Sequence, residues 1–209
     1  MRVIAGTYRS RLLSAPPGTS TRPTSDRLRE TMFNILGPRI AGCRFVDLYA
    51  GTGAVGIEAV SRGAAHVWFA ESSAPALKAL RANLATLKVP ATSSTVEDRG
   101  TASLLARLRK LRLTVDLVFL DPPYEAENYY TETLAELGRT AEDPLLAPDA
   151  MVIVEYATRG KFKLAEKYGS LLQTRTYKQG DTSLAFYSAG AAVPAEAPAE
   201  VPEGNAPPV

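Results

Sequence analysis

The chain has 209 residues, with 45% hydrophobic and 22% charged content and a net charge of +2, which predicts one soluble globular domain of ordinary size. The single cysteine (Cys43) and the single histidine (His66) exclude an internal disulfide and the usual Cys/His zinc sites. No apolar run is long enough to cross a membrane and no secretion signal is evident, so a cytoplasmic protein is expected.

The N-terminal segment is rich in arginine. Residues 1–44 hold eight arginines, no lysine and two acids, so they carry +6. Such a cluster is typical of nucleic-acid contact, although a solvated helix face has the same composition. "RVIAG" and "RLLSA" predict a β-hairpin around Gly6, and Thr24 or Ser25 can cap a helix with apolar residues at helical spacing up to Gly37.

From Arg44 onward, strand and helix patterns alternate. Strands are predicted at "FVDLYA", "HVWFA", "TSSTVE", "VDLVFLD" and "AMVIVEY", helices at 55–61, 75–87, 104–111 and 128–137, and a final hairpin at "LLQTRTYK" and "TSLAFYS". This order predicts an α/β fold with a seven-stranded, mostly parallel sheet, helices on both faces, and ligands at the carboxyl ends of the strands.

The composition predicts three regions: a basic hairpin and helix at 1–43, an α/β domain at 44–188, and a disordered Pro/Ala-rich tail at 189–209.

A glycine-rich turn follows the first strand of the α/β domain. Gly51, Gly53 and Gly56 fit G-x-G-x-x-G, and Glu71 lies 20 residues after Gly51, where dinucleotide-binding folds place a ribose-binding carboxylate. Such a turn suits a pyrophosphate, and it also suits the carboxylate and adenosine of S-adenosylmethionine. Asp47 favours the second cofactor, because a carboxylate before the glycines repels pyrophosphate and attracts a cationic amino-acid group.

Further cofactor contacts are expected from the same loop and from the third strand. Ala50 and Thr52 complete the loop, and its backbone is expected to approach the ligand closely. Asp98, after the third strand, can accept a hydrogen bond from the adenine amino group. Glu97 can make the same contact, so the sequence leaves the choice between them open.

A rigid proline loop follows the strand "VDLVFL", at Asp121-Pro122-Pro123-Tyr124. Two prolines remove two backbone donors and hold the preceding residues extended. Asp121 and the loop carbonyls can accept N–H bonds from the exocyclic amine of a planar base, and Tyr124 can stack on the ring. This arrangement aims the amine lone pair at a methyl donor. Hydride transfer needs no such loop, so the sequence favours methyl transfer over nicotinamide chemistry.

Together, "DLYAGTGAVGIEA", Glu71 and "DPPY" resemble the Rossmann-like class I methyltransferases, which use S-adenosylmethionine to methylate exocyclic amino groups. "RVIAGTYRSRLL" and "RPTSDRLRETMFNIL" are similar to the N-terminal blocks of the bacterial 16S ribosomal RNA guanine-N2 methyltransferases of the RsmD type. The resemblance spans roughly residues 2–188. Two stretches depart from the family pattern: "EDRGTA" after the third strand and "KQGDT" near the end.

The resemblance implies a role for each matching residue. For the cofactor loop these are Asp47, Gly51, Gly53 and Gly56, and for the ribose Glu71; the loop residues Ala50 and Thr52 and the third-strand residue Asp98 are expected contacts from their positions alone. The residues expected to receive the guanine are Asp121, Pro122, Pro123 and Tyr124. Arg22, Thr24, Arg27 and Arg29 match the family's basic block, so they are expected to contact RNA or to close over the cofactor, and Arg9 is a further expected nucleic-acid contact.

The resemblance also implies the reaction. A methyl group is expected to pass in line from S-adenosylmethionine to a flipped guanine, leaving S-adenosylhomocysteine and using no metal. The expected partner is 16S ribosomal RNA, in the small subunit or an assembly intermediate, and the expected enzyme is a monomer. The alternatives are a DNA adenine-N6 methyltransferase and a non-catalytic RNA-binding or ribosome-assembly protein.

Overall fold

The computed structural model describes residues 1–15, 25–123, 127–139, 145–159 and 162–189. Its α-helices are α1 (Asp26–Leu36), α2 (Ala54–Ser61), α3 (Ala74–Thr86), α4 (Thr101–Lys110) and α5 (Glu127–Leu137), and a short 3-10 helix spans Gly37–Ile40. Its strands are β1 (Arg44–Leu48), β2 (His66–Ala70), β3 (Ser94–Glu97), β4 (Val115–Leu120), β5 (Leu146–Ala157), β6 (Lys167–Tyr168), β7 (Leu171–Gln179) and β8 (Thr182–Ala189). The predicted tail, apart from Ala189, lies outside the described residues.

The described strands form one sheet in the order β3-β2-β1-β4-β5-β8-β7-β6. The first five in this order are parallel, and β8, β7 and β6 continue the sheet in antiparallel pairs. The predicted α/β fold is confirmed, but the predicted strand count is one too low. The extra strand, β6, has two residues and leaves no readable pattern. The strand order reverses between β1 and β4, which is where sheets of this kind bind ligands.

The sheet carries a hydrophobic cluster on each face. Phe45 of β1 packs in the cluster covered by α1, α2 and α3, and its neighbour Val46 packs in the cluster covered by α4 and α5. This alternation follows from the two-residue period of a strand. Val3 and Leu13 of the N-terminal segment belong to the first cluster, so that segment shares the core of the α/β domain. No helix in the described ranges has the length and apolar character needed to cross a lipid bilayer.

The predicted N-terminal hairpin forms in a short version, with one bridge between Arg2 and Leu12. Its turn approaches α2 so closely that a Cβ on Gly6 would lie 1.8 Å from the carbonyl oxygen of Ser61. The helix α1 follows Ser25, whose hydroxyl accepts a hydrogen bond from the backbone N–H of Leu28 at 3.1 Å. Ser25 is therefore the cap of this helix.

Candidate active site

The glycine-rich loop joins β1 to α2 at the switch in strand order. Gly51 and Gly53 have φ values of 56° and 81°, in the left-handed region that favours glycine. Gly56 is needed for a different reason, since a Cβ there would lie 2.2 Å from the ring of Phe69. The three glycines therefore let the loop turn sharply and let α2 pack closely on β2.

Two carboxylates accept hydrogen bonds from backbone N–H groups of this loop and of the helix that follows it. Asp47 accepts a hydrogen bond from the N–H of Gly56 at 2.8 Å, and Glu71 accepts one from the N–H of Gly51 at 2.8 Å. In a dinucleotide-binding fold, the N–H groups of this loop and of the helix that follows it face the pyrophosphate. Here an anion would have to displace carboxylates and stay close to their charges. The loop geometry therefore disfavours a phosphate-bearing cofactor.

Glu71 lies at the carboxyl end of β2, and three backbone donors fix its side chain. Beyond its bond to the loop, it accepts hydrogen bonds from the N–H groups of Ser72 and Ser73 at 2.8 and 2.7 Å. The residue is half-buried and lies at the end of the sheet where the cofactor is expected. Its contact with a ribose stays a prediction.

Acidic side chains are concentrated at the carboxyl ends of adjacent strands. Burial raises the pKa of Asp47 to about 7, and the nearby charge of Glu71 adds to the rise. Burial also raises the pKa of Asp121 well above its ordinary value, as do the charges of Glu155 and Asp47. An edge of this kind attracts a cationic ligand. In the described part of the chain, no group of three or more His, Cys, Asp or Glu side chains is placed to hold a metal ion.

The proline loop leaves β4 beside the glycine-rich loop. Leu48 and Leu120 are paired in the parallel ladder, so Asp121 begins its loop directly next to the end of β1. Pro122 is buried, and the buried Tyr130 of α5 donates a hydrogen bond to its carbonyl at 3.4 Å. Tyr130 thus ties α5 to the loop, a contact that the sequence did not reveal. Tyr124 lies outside the described residues.

The two candidates for the adenine contact differ in their surroundings. Glu97 is buried and bonds to Arg99 at 2.9 Å and to Ser103 at 3.1 Å. Asp98 is exposed and forms an ion pair with Arg81 at 2.8 Å. Since Glu97 is engaged inside the chain, Asp98 is the better placed of the two for a ligand, and its role stays a prediction.

Two of the residues predicted to contact nucleic acid are exposed at the surface of the N-terminal segment. Arg9 of the hairpin and Arg27 of α1 are exposed and, with Arg2, line a cleft of about 590 Å³ between the two elements. Such side chains are free to reach phosphate groups. Arg22 and Thr24 lie outside the described residues.

The prediction that Arg29 contacts nucleic acid is not supported by the structure. Its side chain is fully buried, and one nitrogen donates to the carbonyl of Arg2 at 2.5 Å and to Asp26 at 3.0 Å. A second nitrogen lies 3.8 Å from the buried carboxylate of Glu58. The spacing of residues 29, 32, 33 and 36 places Arg29 on the inward face of α1, a signal that the sequence contained.

Replacing Asp47 with asparagine is expected to change how stability depends on pH. The pKa of Asp47 is higher in the folded chain than in the unfolded chain. The protonated side chain therefore contributes to the unfolding free energy fully below about pH 4, and this contribution is lost as the pH rises through about 7. The asparagine side chain stays neutral and can still accept the Gly56 bond. The unfolding free energy of the variant, measured with urea, should therefore rise relative to that of the wild type by about 1–3 kcal/mol as the pH increases from 5 to 8.

The exposed acid Asp149 offers a matched control, since Asp149→Asn should leave the pH dependence unchanged. A constant difference between Asp47→Asn and the wild type across this pH range would contradict the expectation.

Comparisons with known proteins place this site in context. The family described as conserved hypothetical protein 95 matches residues 1–188. The ribosomal RNA small subunit methyltransferase D of Escherichia coli (strain K12) is 37% identical over 155 residues, 74% of each chain. The solved structure of yhhF from Escherichia coli is 33% identical with a TM-score of 0.73, and covers 92% of this chain and 99% of its own.

A more distant structure shares the fold alone. It is an RNA methyltransferase from Salinibacter ruber, solved in complex with S-adenosyl-L-homocysteine, and it is 17% identical with a TM-score of 0.56. The match covers 87% of this chain and all of the other.

Proposed function

The chain belongs to the conserved hypothetical protein 95 family, and on that premise we propose that it transfers a methyl group from S-adenosylmethionine to the exocyclic N2 of a guanine in 16S ribosomal RNA. The name of the 37% identical Escherichia coli relative supports methylation of small-subunit ribosomal RNA. The observation that carries the reaction type is Asp121 with its proline loop, next to a glycine-rich loop whose donors are held by carboxylates.

The residues present fit S-adenosylmethionine. The cofactor bears a sulfonium and an ammonium group, and Asp47 and Glu71 place two carboxyl groups against the glycine-rich loop. When bound, the cofactor supplies an activated methyl group, so the protein has mainly to position the acceptor and exclude water. In this proposal Glu71 would bind the ribose and Asp98 the adenine.

The acceptor loop can orient an exocyclic amine. Asp121 and the carbonyl of Pro122 can each accept one N–H of guanine N2, which leaves the nitrogen lone pair free for the methyl group. Methylation makes N2 cationic, so one proton must leave it. The raised pKa of Asp121 makes its carboxylate a stronger base, suited to accept that proton. The guanine must leave its stack to reach this loop.

The basic N-terminal segment supports RNA as the acceptor. Arg9 and Arg27 are exposed on elements that share the core of the catalytic domain, so a bound phosphate chain would be held rigidly relative to the site. We expect a monomeric cytoplasmic enzyme that acts on the small subunit or on an assembly intermediate.

Reversing the charge at Arg27 is expected to weaken RNA binding more than cofactor binding. Arg27→Glu should lower RNA affinity by roughly tenfold and reduce the salt slope by about one, because one phosphate contact is lost. Arg175 of β7, also exposed, gives a matched control with the same charge change on a different element. Filter binding at several salt concentrations measures both quantities. Equal loss of RNA and cofactor affinity in Arg27→Glu would assign this residue a structural role.

The experiment that tests the proposed function is nucleoside analysis of 16S ribosomal RNA from cells that lack the gene. We expect one N2-methylguanosine to disappear, and to return with the wild-type chain but not with Asp121→Ala. An unchanged nucleoside profile in the deletion strain would refute the proposed acceptor.

A further inference from the structure

Asn83 hydrogen-bonds to both the N-terminal segment and the glycine-rich loop, which the proposed function assigns to RNA and to the cofactor. It lies on α3 and its side chain is 3% exposed. Its amide nitrogen donates to the carbonyls of Ser14 and Thr52, both at 3.0 Å, and its amide oxygen accepts the N–H of Ser14 at 2.8 Å. Both donors of this buried amide are therefore satisfied.

The two partners of Asn83 belong to different binding regions. Thr52 lies between the two left-handed glycines of the cofactor loop. Ser14 ends the N-terminal hairpin and leads into residues 16–24, which carry part of the predicted RNA-binding block. One side chain thus fixes the cofactor loop and the exit of the RNA-facing segment in a single arrangement.

Other contacts hold the hairpin without reaching the cofactor loop. Glu58 accepts hydrogen bonds from the N–H groups of Ile4 and Ala5, and Ser61 bonds to the backbone of Ala5 and Tyr8. Both side chains belong to α2, after the loop has ended. Over the described ranges, Asn83 is the side chain that hydrogen-bonds to both the N-terminal segment and residues 49–53.

We propose that Asn83 is a positioning residue that couples RNA binding to cofactor binding, an inference that rests on the proposed function. Because one amide bonds to both Ser14 and Thr52, a ligand that shifts either residue displaces the other through the same side chain. The coupling must be reciprocal, because it is a free energy shared by two sites. RNA should therefore tighten cofactor binding by the same factor as the cofactor tightens RNA binding.

The test measures both affinities, each with and without the other ligand. S-adenosylhomocysteine serves as the cofactor probe, so that no turnover occurs, and small-subunit particles from cells lacking the gene serve as the RNA probe. In the wild type, we expect each ligand to tighten the other by about 5- to 150-fold, the usual range of such coupling. In Asn83→Ala, this ratio should fall towards one.

Two further variants separate coupling from folding. Asn83→Asp keeps the shape and an acceptor for Ser14 but loses at least one donated bond, because a protonated carboxyl donates once and an ionised one not at all; it should lower the coupling. Ser61→Ala loosens the hairpin from α2 without touching the cofactor loop, so it should weaken RNA binding and leave the ratio unchanged. A purely structural role for Asn83 would not move the ratio.

The outcomes are distinct. A wild-type ratio near one, or a full ratio retained in Asn83→Asp, would overturn the proposal for Asn83. A wild type that binds neither probe would instead overturn the proposed function.

Discussion

Replacing Asp121 with alanine is expected to lower kcat by roughly 10²- to 10⁴-fold, the range of a lost acid–base contact, and to change the Kd for S-adenosylmethionine little. Asp121 begins the proline loop at the switch in strand order, on the acceptor side of the site. It makes none of the hydrogen bonds that shape the glycine-rich loop, which depend on Asp47 and Glu71. Its loss should therefore affect the acceptor amine and spare the cofactor.

Steady-state kinetics and cofactor titration would measure these two effects, and pH profiles would add a third. Since only the ionised carboxylate of Asp121 can take a proton, the wild-type rate should rise with pH through the raised pKa of this group. Asp121→Asn keeps an acceptor oxygen but cannot be ionised, so it should lose that pH-dependent rise. An Asp121→Ala variant that kept more than a tenth of the wild-type kcat would contradict the assigned role.

Replacing Glu58 with alanine is expected to cost about 3–5 kcal/mol of unfolding free energy, the range found when one partner of a buried ion pair is removed. Glu58 and Arg29 are both fully buried. The same carboxylate accepts hydrogen bonds from Ile4 at 2.7 Å and Ala5 at 3.0 Å, and it pairs with Arg62 at 2.7 Å. Its removal would leave Arg29 without its buried counter-charge and two backbone donors without an acceptor.

Chemical denaturation of a double-mutant cycle tests this account. The combined Glu58→Ala and Arg29→Ala variant should be less destabilised than the sum of the single variants, because no unpaired charge remains buried. Strict additivity would show that the two side chains do not interact. Arg62→Ala gives a control, since its guanidinium is partly exposed and its loss should cost less.

Much of the fold was predictable because its elements carry local signals. The buried strand "HVWFA" coincides with β2, and the Gly180-Asp181 turn joins β7 to β8 as expected. Parallel strands that are buried on both faces have continuous apolar sequences, and glycines are common in the turns that follow them. The strand β6 could not be found, because two residues paired to a neighbour have no periodicity.

The site was predictable only in part, because its contacts join distant parts of the sequence. The sequence identified Asp47, but not that the N–H of Gly56 holds its carboxylate. Asn83 bonds to Ser14, 69 residues away in the sequence. The sequence did not indicate this contact, because a polar residue in an Ala/Leu-rich helix is expected to be exposed. The resemblance implied a ligand contact for Arg29, whereas its helical position places it on the buried face of α1.

The measurement that tests the central claim most directly is methyl transfer from tritiated S-adenosylmethionine to small-subunit particles from cells lacking the gene, followed by nucleoside analysis. The account predicts label in N2-methylguanosine of 16S ribosomal RNA with the wild-type chain, and at most a trace with Asp121→Ala. In a parallel reaction with DNA as the acceptor, label in N6-methyladenine would contradict the RNA acceptor and keep the proline-loop chemistry. No label in any nucleic acid, despite cofactor binding, would contradict the proposed function itself.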